Sequence, residues 1–188
     1  MKKYLFVFTI VCMSCNSNAQ IPSKVDFDAF EKLTKEVNVY RKDRLINWTT
    51  FQQYAKEENT IILDARSKEM FDRKHVKGAI NLNFSDFTQG NLEAIIPALK
   101  TRILIYCNNN FDNDPINFAS KMYTPRPVVR NGKGLTQKAT PISLALNVPT
   151  FINLYGYGYK NVYELSELMS VLDEKIVFEG IDVPLIEN

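Results

Sequence analysis

Two short apolar segments constrain the fold of this chain most strongly. They run from Thr60 to Arg66 and from Arg102 to Tyr106, and their apolar residues are nearly continuous rather than alternating with polar ones. Such a segment suits a strand that is covered on both faces, as strands are in parallel sheets. Helical patterns separate these and other short apolar segments. The sequence therefore predicts an α/β fold with a mainly parallel central sheet of about five strands and helices on both faces.

Length and composition favour a single globular domain. The chain has 188 residues, of which 45% are apolar and 23% are charged, so one substantial core is possible. Residues 44–188 are predicted to form this domain, with a helix over residues 166–172. Residues 20–43 are polar with helical spacing and are predicted as an N-terminal helical arm outside it. Residues 113–141 are rich in Asn, Pro and Gly and are predicted as an inserted surface loop.

The N-terminus has the pattern of a secretory signal peptide. Two lysines precede an apolar run from Tyr4 to Met13, which is shorter than the ~20 residues that a membrane-spanning helix needs. Small residues follow, so we expect residues 1–19 to be a signal peptide that is cleaved after Ala19. The alternative is a lipoprotein signal in which Cys15 is lipidated. Either signal predicts an exported bacterial protein, periplasmic in the first case and membrane-anchored in the second.

The cysteine and charge counts restrict the possible functions. Cys12 and Cys15 lie in the predicted signal, so the mature chain keeps only Cys107 of its three cysteines. A single cysteine allows no internal disulfide, and with His75 as the only histidine we predict no metal site and no cofactor. Basic and acidic residues number 23 and 21, and loss of the two signal lysines makes them equal. This balance gives no indication of nucleic-acid binding.

Three segments, in order along the chain, carry a family resemblance. A strand ends in Asp64-Ala65-Arg66 and is followed by residues 74–82, which contain His-Val-Lys-Gly-Ala-Ile. A second strand ends directly at Cys107. The third segment, residues 158–165, reads Gly-Tyr-Lys-Asn-Val-Tyr-Glu-Leu. This pattern resembles the rhodanese-like domain family, which has an Asp-x-Arg strand end, a His-Ile-Pro-Gly-Ala-Ile segment and a strand that leads into a nucleophilic cysteine. The resemblance extends roughly from Leu45 to Leu168.

The resemblance implies a sulfurtransferase. In the family, a cysteine thiolate takes a sulfane sulfur from a donor such as thiosulfate, holds it as a persulfide and passes it to a thiophilic acceptor. Here Cys107 would be the nucleophile, and the partner would be a small sulfur-containing anion or a thiol acceptor. Asp64 and Arg66 would support the site, the first by holding backbone amides and the second by pairing with Glu69. The anion cradle would consist of the loop amides that follow the cysteine. These belong to Asn108, Asn109, Asn110, Phe111 and Asp112.

The loop after Cys107 departs from the family pattern. It contains no Arg or Lys, and Asp112 stands where active members tend to have Arg or Thr. A carboxylate beside the thiol is expected to raise the pKa of Cys107 and to repel an anionic donor. Basic residues of the insertion would either restore a positive field over the cysteine or remain solvated. They are Lys121, Arg126, Arg130, Lys133 and Lys138.

These departures leave a second function open. The chain would then be a catalytically inactive rhodanese fold that binds a protein or a ligand through residues 113–141. A cysteine phosphatase is rejected on a different ground unless Arg126 or Arg130 of the insertion substitutes, because such enzymes bind phosphate with an Arg six residues after the cysteine. The residue at that position is Asn113.

Overall fold

The computed structural model describes residues 23–125, 128–130, 133–135 and 140–184. The helices are α1 (Phe27–Tyr40), α2 (Trp48–Ala55), α3 (Lys68–Arg73), α4 (Gln89–Ile95) and α5 (Asn147–Gly156). The strands are β1 (Leu45–Ile46), β2 (Thr60–Asp64), β3 (His75–Val76), β4 (Ala79–Asn81), β5 (Arg102–Tyr106), β6 (Phe111–Asp112), β7 (Met122–Tyr123), β8 (Val128–Arg130), β9 (Lys133–Leu135), β10 (Ile142–Ser143), β11 (Val162–Leu165), β12 (Met169–Ser170) and β13 (Phe178–Glu179). The predicted signal peptide, residues 1–19, lies outside the described residues. In the described part of the chain, no helix is long and apolar enough to cross a membrane.

Five strands form the central sheet in the order β1-β11-β5-β2-β4, and all neighbours in it are parallel. The two apolar segments of the sequence are its central pair, β2 and β5, in register from Thr60 opposite Arg102 to Asp64 opposite Tyr106. Both strands therefore end at the same edge of the sheet, where Cys107 follows β5. The predicted α/β class with a five-stranded parallel sheet is confirmed.

Side chains alternate along β5 and divide the core into two clusters. Ile103 and Ile105 face one side, where buried residues of α1, α4 and α5 pack against them. Leu104 and Tyr106 face the other side, where Phe51 of α2 and the aromatic residues after β5 cover them. Helices therefore cover both faces of the sheet, which explains why β5 is apolar along nearly its whole length.

The first helix packs onto the main fold. Asp26 caps it by accepting the N–H of Ala29 at 2.9 Å, and its last turn carries the buried Val37 into the core beside α5. The hydroxyl of Tyr40 donates to the carbonyl of Lys160 at 2.8 Å. This differs from the arm outside the fold that the polar composition of residues 20–43 suggested. A narrow apolar stripe is enough to seat a helix whose other faces are solvated.

The inserted segment also differs from a purely surface loop. Near its start, Phe118 is buried and packs against Phe111 and Phe178, with ring centroids 4.7 and 5.5 Å away. Near its end, β10 pairs antiparallel with β7, Ile142 opposite Tyr123, so the chain leaves and returns at adjacent points. Between them, β8 and β9 form an antiparallel hairpin.

The predicted helix over residues 166–172 is wrong. This segment contains β12, which pairs in parallel with β6, Met169 lying opposite Phe111. A helix of this length is marginal by itself, so the hydrogen bonds offered by a neighbouring strand decide the conformation.

Candidate functional site

Cys107 lies at the carboxyl end of β5, immediately before a 3-10 turn over Asn108–Asn110. Its side chain is buried, with the residue 1% exposed. It lines an open cleft of about 350 Å³ whose other walls come from α5, β11, β10 and the turn after α1. The cysteine predicted as the nucleophile therefore borders a cleft that has room for a small molecule beside it.

Backbone N–H groups surround the thiol of Cys107. Those of Asn147, Asn109 and Leu146 favour its thiolate and act to lower its pKa, so two of the three come from the start of α5 and one from the loop. The first N–H groups of a helix have no partner within the helix, and they carry a partial positive charge. The chain thus returns from the insertion to place a helix N-terminus against the cysteine. The N–H groups that favour the thiolate of Cys107 thus come in part from residues far along the sequence.

The loop residues predicted to form the cradle make different contacts from one another. Asn109 directs its backbone N–H to the thiol. Asn110 braces the loop, because its Oδ1 accepts the N–H of Cys107 at 2.9 Å and its Nδ2 donates to the carbonyl of Leu165 at 2.8 Å. Asn108 points its Nδ2 to the carbonyl of Ala119 at 3.0 Å.

Phe111 and Asp112 leave the loop as strand β6. Phe111 is buried in the aromatic cluster with Tyr106, Phe118 and Phe178. Asp112 is exposed, and its Oδ1 accepts a hydrogen bond from Asn113 Nδ2 at 2.9 Å. The structure therefore places these two residues in the strand that continues the loop, and their N–H groups are not among those that lower the pKa of the thiol.

The pKa of Cys107 is raised, chiefly because burial disfavours the thiolate. The three N–H groups act in the opposite direction and favour the thiolate. A carboxylate also raises the pKa, but it belongs to Glu164 of β11 and not to Asp112. The expected effect of an acidic residue on the pKa of the thiol is present, but it comes from Glu164 of β11 and not from the loop after Cys107.

Glu164 is paired with an arginine at the rim of the cleft. Arg41 Nε donates to Glu164 Oε2 at 2.5 Å, and Arg41 Nη2 donates to Oε1 at 2.7 Å. Asn147 Nδ2 lies 3.4 Å from Glu164 Oε1 and 3.0 Å from Asn110 Oδ1, which in turn holds the N–H of Cys107. A continuous polar network therefore joins Arg41 to the backbone of the cysteine.

Sequence reasoning missed Arg41, Glu164 and Asn147. Glu164 carried a usable signal, since it is a charged residue within the apolar strand Val162–Leu165, and a buried charge requires a partner. Nothing in the sequence identified that partner, because Arg41 is 123 residues away from Glu164.

Asp64 and Arg66 form a buried ion pair beneath the neighbouring strand end. Arg66 Nη2 lies 2.6 Å from Asp64 Oδ2, and the hydroxyl of Tyr106 donates to the same oxygen at 2.6 Å. Arg66 also donates to the carbonyls of Asn117 and Lys74, at 3.0 and 2.7 Å. Asp64 additionally accepts the N–H of Arg66, as expected, but Arg66 pairs with Asp64 and not with Glu69. The pair fastens the end of β2 to the insertion, and it does not line the Cys107 cleft.

Of the basic residues in the insertion, Lys121 is the one whose contacts the structure describes. Its N–H donates to Asn109 Oδ1 at 2.8 Å, and its carbonyl accepts from Asn109 Nδ2 at 3.2 Å. The segment therefore braces the loop beside Cys107 through its backbone. The side chains of the other four predicted residues lie outside the described part of the chain. They are Arg126, Arg130, Lys133 and Lys138.

The fold and the site together define an α/β protein with one cysteine cradled at the carboxyl edge of its sheet. A family model described as Rhodanese-like domain matches residues 47–167, well over half of the chain. The chain belongs to the rhodanese-like domain family. A search of curated proteins gives no match. The matched range contains Cys107 and Glu164, whereas Arg41 precedes it.

The reactivity of Cys107 should depend on pH with a midpoint above the ~8.5 of an unperturbed cysteine, because burial disfavours the reactive thiolate. The rate of alkylation by iodoacetamide should therefore be low at neutral pH and increase as the pH passes the raised pKa. Glu164→Gln should lower the midpoint, since that carboxylate raises the pKa of the thiol. Mass-spectrometric peptide mapping at each pH, scaled to the alkaline plateau, measures it.

The matched control is Asp112→Asn, which removes the exposed carboxylate of β6. This variant should keep the wild-type midpoint. A midpoint below ~8.5 in the wild type, or a larger effect of Asp112→Asn than of Glu164→Gln, would contradict the assignment.

Proposed function

We propose that this protein is a sulfurtransferase that carries a sulfane sulfur on Cys107. The observation that supports it most directly is the set of N–H groups from Asn109, Leu146 and Asn147 around the thiol of Cys107. Hydrogen-bond donors aimed at one sulfur atom stabilise negative charge on that atom. A persulfide carrier needs such stabilisation twice, for the attacking thiolate and for the persulfide anion that forms.

The transfer has two balanced steps. The Cys107 thiolate, after losing its proton to solvent, attacks the sulfane sulfur of a donor such as thiosulfate. A sulfur–sulfur bond forms at Cys107, the sulfur–sulfur bond of thiosulfate breaks, and sulfite leaves with the electron pair. A thiophilic acceptor, either cyanide or a thiolate, then attacks the outer sulfur, and the Cys107 thiolate is restored. No external oxidant or reductant is consumed.

The cleft is suited to reactants of this size. Its volume of about 350 Å³ accommodates thiosulfate or a small thiol beside Cys107. Besides the residues already described, its lining includes the polar residues Ser143 and Ser166. We propose that the donor is a small sulfur-containing anion and that the acceptor is a small thiophile. The location that the N-terminal sequence suggests is part of the same proposal: an exported, periplasmic protein, or a membrane-anchored one if Cys15 is lipidated.

Cys107→Ser should abolish sulfur loading completely, because serine offers no thiolate at this position. Wild-type protein incubated with thiosulfate should gain about one sulfur atom, which peptide mapping places on Cys107, and cyanide should remove it. Intact-mass spectrometry measures both steps. Asn113→Ser is the matched control, since it changes an exposed residue outside the cleft and should load normally. Sulfur loading of Cys107→Ser at the wild-type level would refute the proposal.

A non-catalytic binding module is the second candidate, and a specific observation favours it. The thiol of Cys107 is buried and its pKa is raised, which is typical of a structural cysteine. Exposed apolar side chains on β7, Met122 and Tyr123, would then form part of the contact surface within residues 113–141. Absence of a sulfur adduct on a wild-type protein that iodoacetamide still alkylates at Cys107 would select this candidate.

A further inference from the structure

The charged side chains that line the Cys107 cleft come from two elements. In the part of the chain that the structure describes, they are Arg41, from the turn after α1, and Glu164, from β11. The other lining residues are neutral. Among the side chains that line the cleft, this one pair therefore carries the formal charges.

The two members of the pair are not equally available to a ligand. Glu164 is 5% exposed, and both of its carboxylate oxygens accept hydrogen bonds from Arg41. The side chain of Arg41 is 27% exposed, and its Nη1 has no hydrogen-bond partner among the described residues. A guanidinium carries five N–H donors in a planar fork, so it can hold a carboxylate with one edge and still present donors to a second anion.

We propose that Arg41 is the specificity-determining residue of this site, and that it directs anionic sulfur donors to Cys107 while Glu164 holds it in position. The proposal rests on the proposed sulfur transfer and names its donor class, an oxyanion. Arg41 lies before residues 47–167, the range that the family model matches. The segment that carries α1 therefore supplies the cation that the loop after Cys107 lacks.

The ion pair also reduces the repulsion that the Glu164 carboxylate would exert on an anionic donor. A lone carboxylate from β11 beside Cys107 would repel an anionic donor, and the bidentate contact with Arg41 neutralises it. Asn147, which bonds to both Glu164 and Asn110, links the pair to the loop. Arg41 is thus linked to the backbone of Cys107 through side chains of α5, β11 and the loop.

The test compares two alkylating reagents of similar size, iodoacetate, which is an anion, and iodoacetamide, which is neutral. Both require the same Cys107 thiolate, so the ratio of their rates cancels any change in the pKa of Cys107. Arg41→Gln should lower the iodoacetate-to-iodoacetamide ratio by about tenfold, because an attractive charge is lost. Arg41→Lys keeps the charge and should restore most of the ratio.

Two further variants separate a contact from other causes. Lys42→Gln removes the same unit charge from the adjacent, exposed residue and should leave the ratio within about twofold of wild type. Arg41→Gln combined with Glu164→Gln removes both charges and leaves no unpaired buried carboxylate, which protects the fold. The double variant should still have a ratio several-fold below wild type, since the arginine is absent. A wild-type ratio in the double variant would overturn the role of Arg41.

The same proteins are then incubated with thiosulfate, and sulfur loading is measured by intact mass. Loading of the wild type together with an unchanged ratio in Arg41→Gln would overturn the inference and leave the proposed sulfur transfer standing. A lowered ratio in Arg41→Gln, with no loading of the wild type by thiosulfate, would support anion selection by Arg41 and refute the sulfur transfer. Loading that is slowed in Arg41→Gln but not in Lys42→Gln supports both.

Discussion

Arg66→Met is expected to lower the free energy of unfolding by about 3–5 kcal/mol, because it leaves the carboxylate of Asp64 buried without its cation. Asp64 and Arg66 are 0% and 3% exposed, so water cannot replace the lost partner. The arginine also donates to the backbone carbonyls of Asn117 and Lys74, which would lose their hydrogen bonds. Urea denaturation followed by circular dichroism measures the change.

Arg73→Met provides the matched control for this prediction. Arg73 pairs with Asp182 at 2.8 Å, but both side chains are about one-third exposed, so its loss should cost less than about 1 kcal/mol. Combining Arg66→Met with Asp64→Asn should recover part of the lost stability, since no buried charge then remains unpaired. A loss of less than 1 kcal/mol in Arg66→Met itself would show that the pair is not required for the fold.

Phe111→Ala is expected to cost about 3–5 kcal/mol, because it leaves a cavity among the aromatic rings that surround it. Phe111 is 2% exposed and lies within 5.7 Å, between ring centroids, of Tyr106, Phe118 and Phe178. These rings join β5, the start of the insertion and β13 into one cluster. The loss of stability should therefore be accompanied by slower sulfur loading, as the loop that precedes Phe111 loosens.

The neighbouring residue supplies the control. Asp112→Ala removes an exposed side chain from the same strand, leaves the backbone pairing with β12 intact and should change the stability by less than about 0.5 kcal/mol. Equal losses in the two variants would mean that the strand, and not the ring of Phe111, provides the stability.

The sequence was most informative where hydrophobic pattern alone determines structure. β2 and β5 are apolar on both faces, so a parallel sheet covered on both sides was predictable, and with it the position of Cys107 at a strand end. The resemblance to the family rested on the same segments. The predictions for α1 and for residues 166–172 differed from the structure. In α1 only a narrow stripe of residues is apolar, and in β12 a strand distant in the sequence provides the hydrogen bonds.

The site itself was only partly predictable, because its chemistry depends on residues that are distant in the sequence. A loop after a cysteine suggested that consecutive amides would bind an anion, whereas the N–H groups that favour the thiolate belong to Asn109 and, across the insertion, to Leu146 and Asn147. An acidic residue near the thiol was expected at position 112 and is found at 164. Arg41 reaches the same cleft from the other end of the fold, and no local pattern links it to Cys107.

The antiparallel contact of β7 with β10 has a consequence for how this protein tolerates change. Met122 lies opposite Ser143, so the intervening residues form a loop, here called the branch, whose two ends are held together by strand pairing. Lengthening or exchanging such a branch adds only a small entropic cost of loop closure and leaves the pairing of β7 with β10 in place. α5, which begins four residues after Ser143, therefore keeps its place against Cys107 whatever the branch contains. The sequence between the two strands can therefore vary without displacing the helix N-terminus beside Cys107.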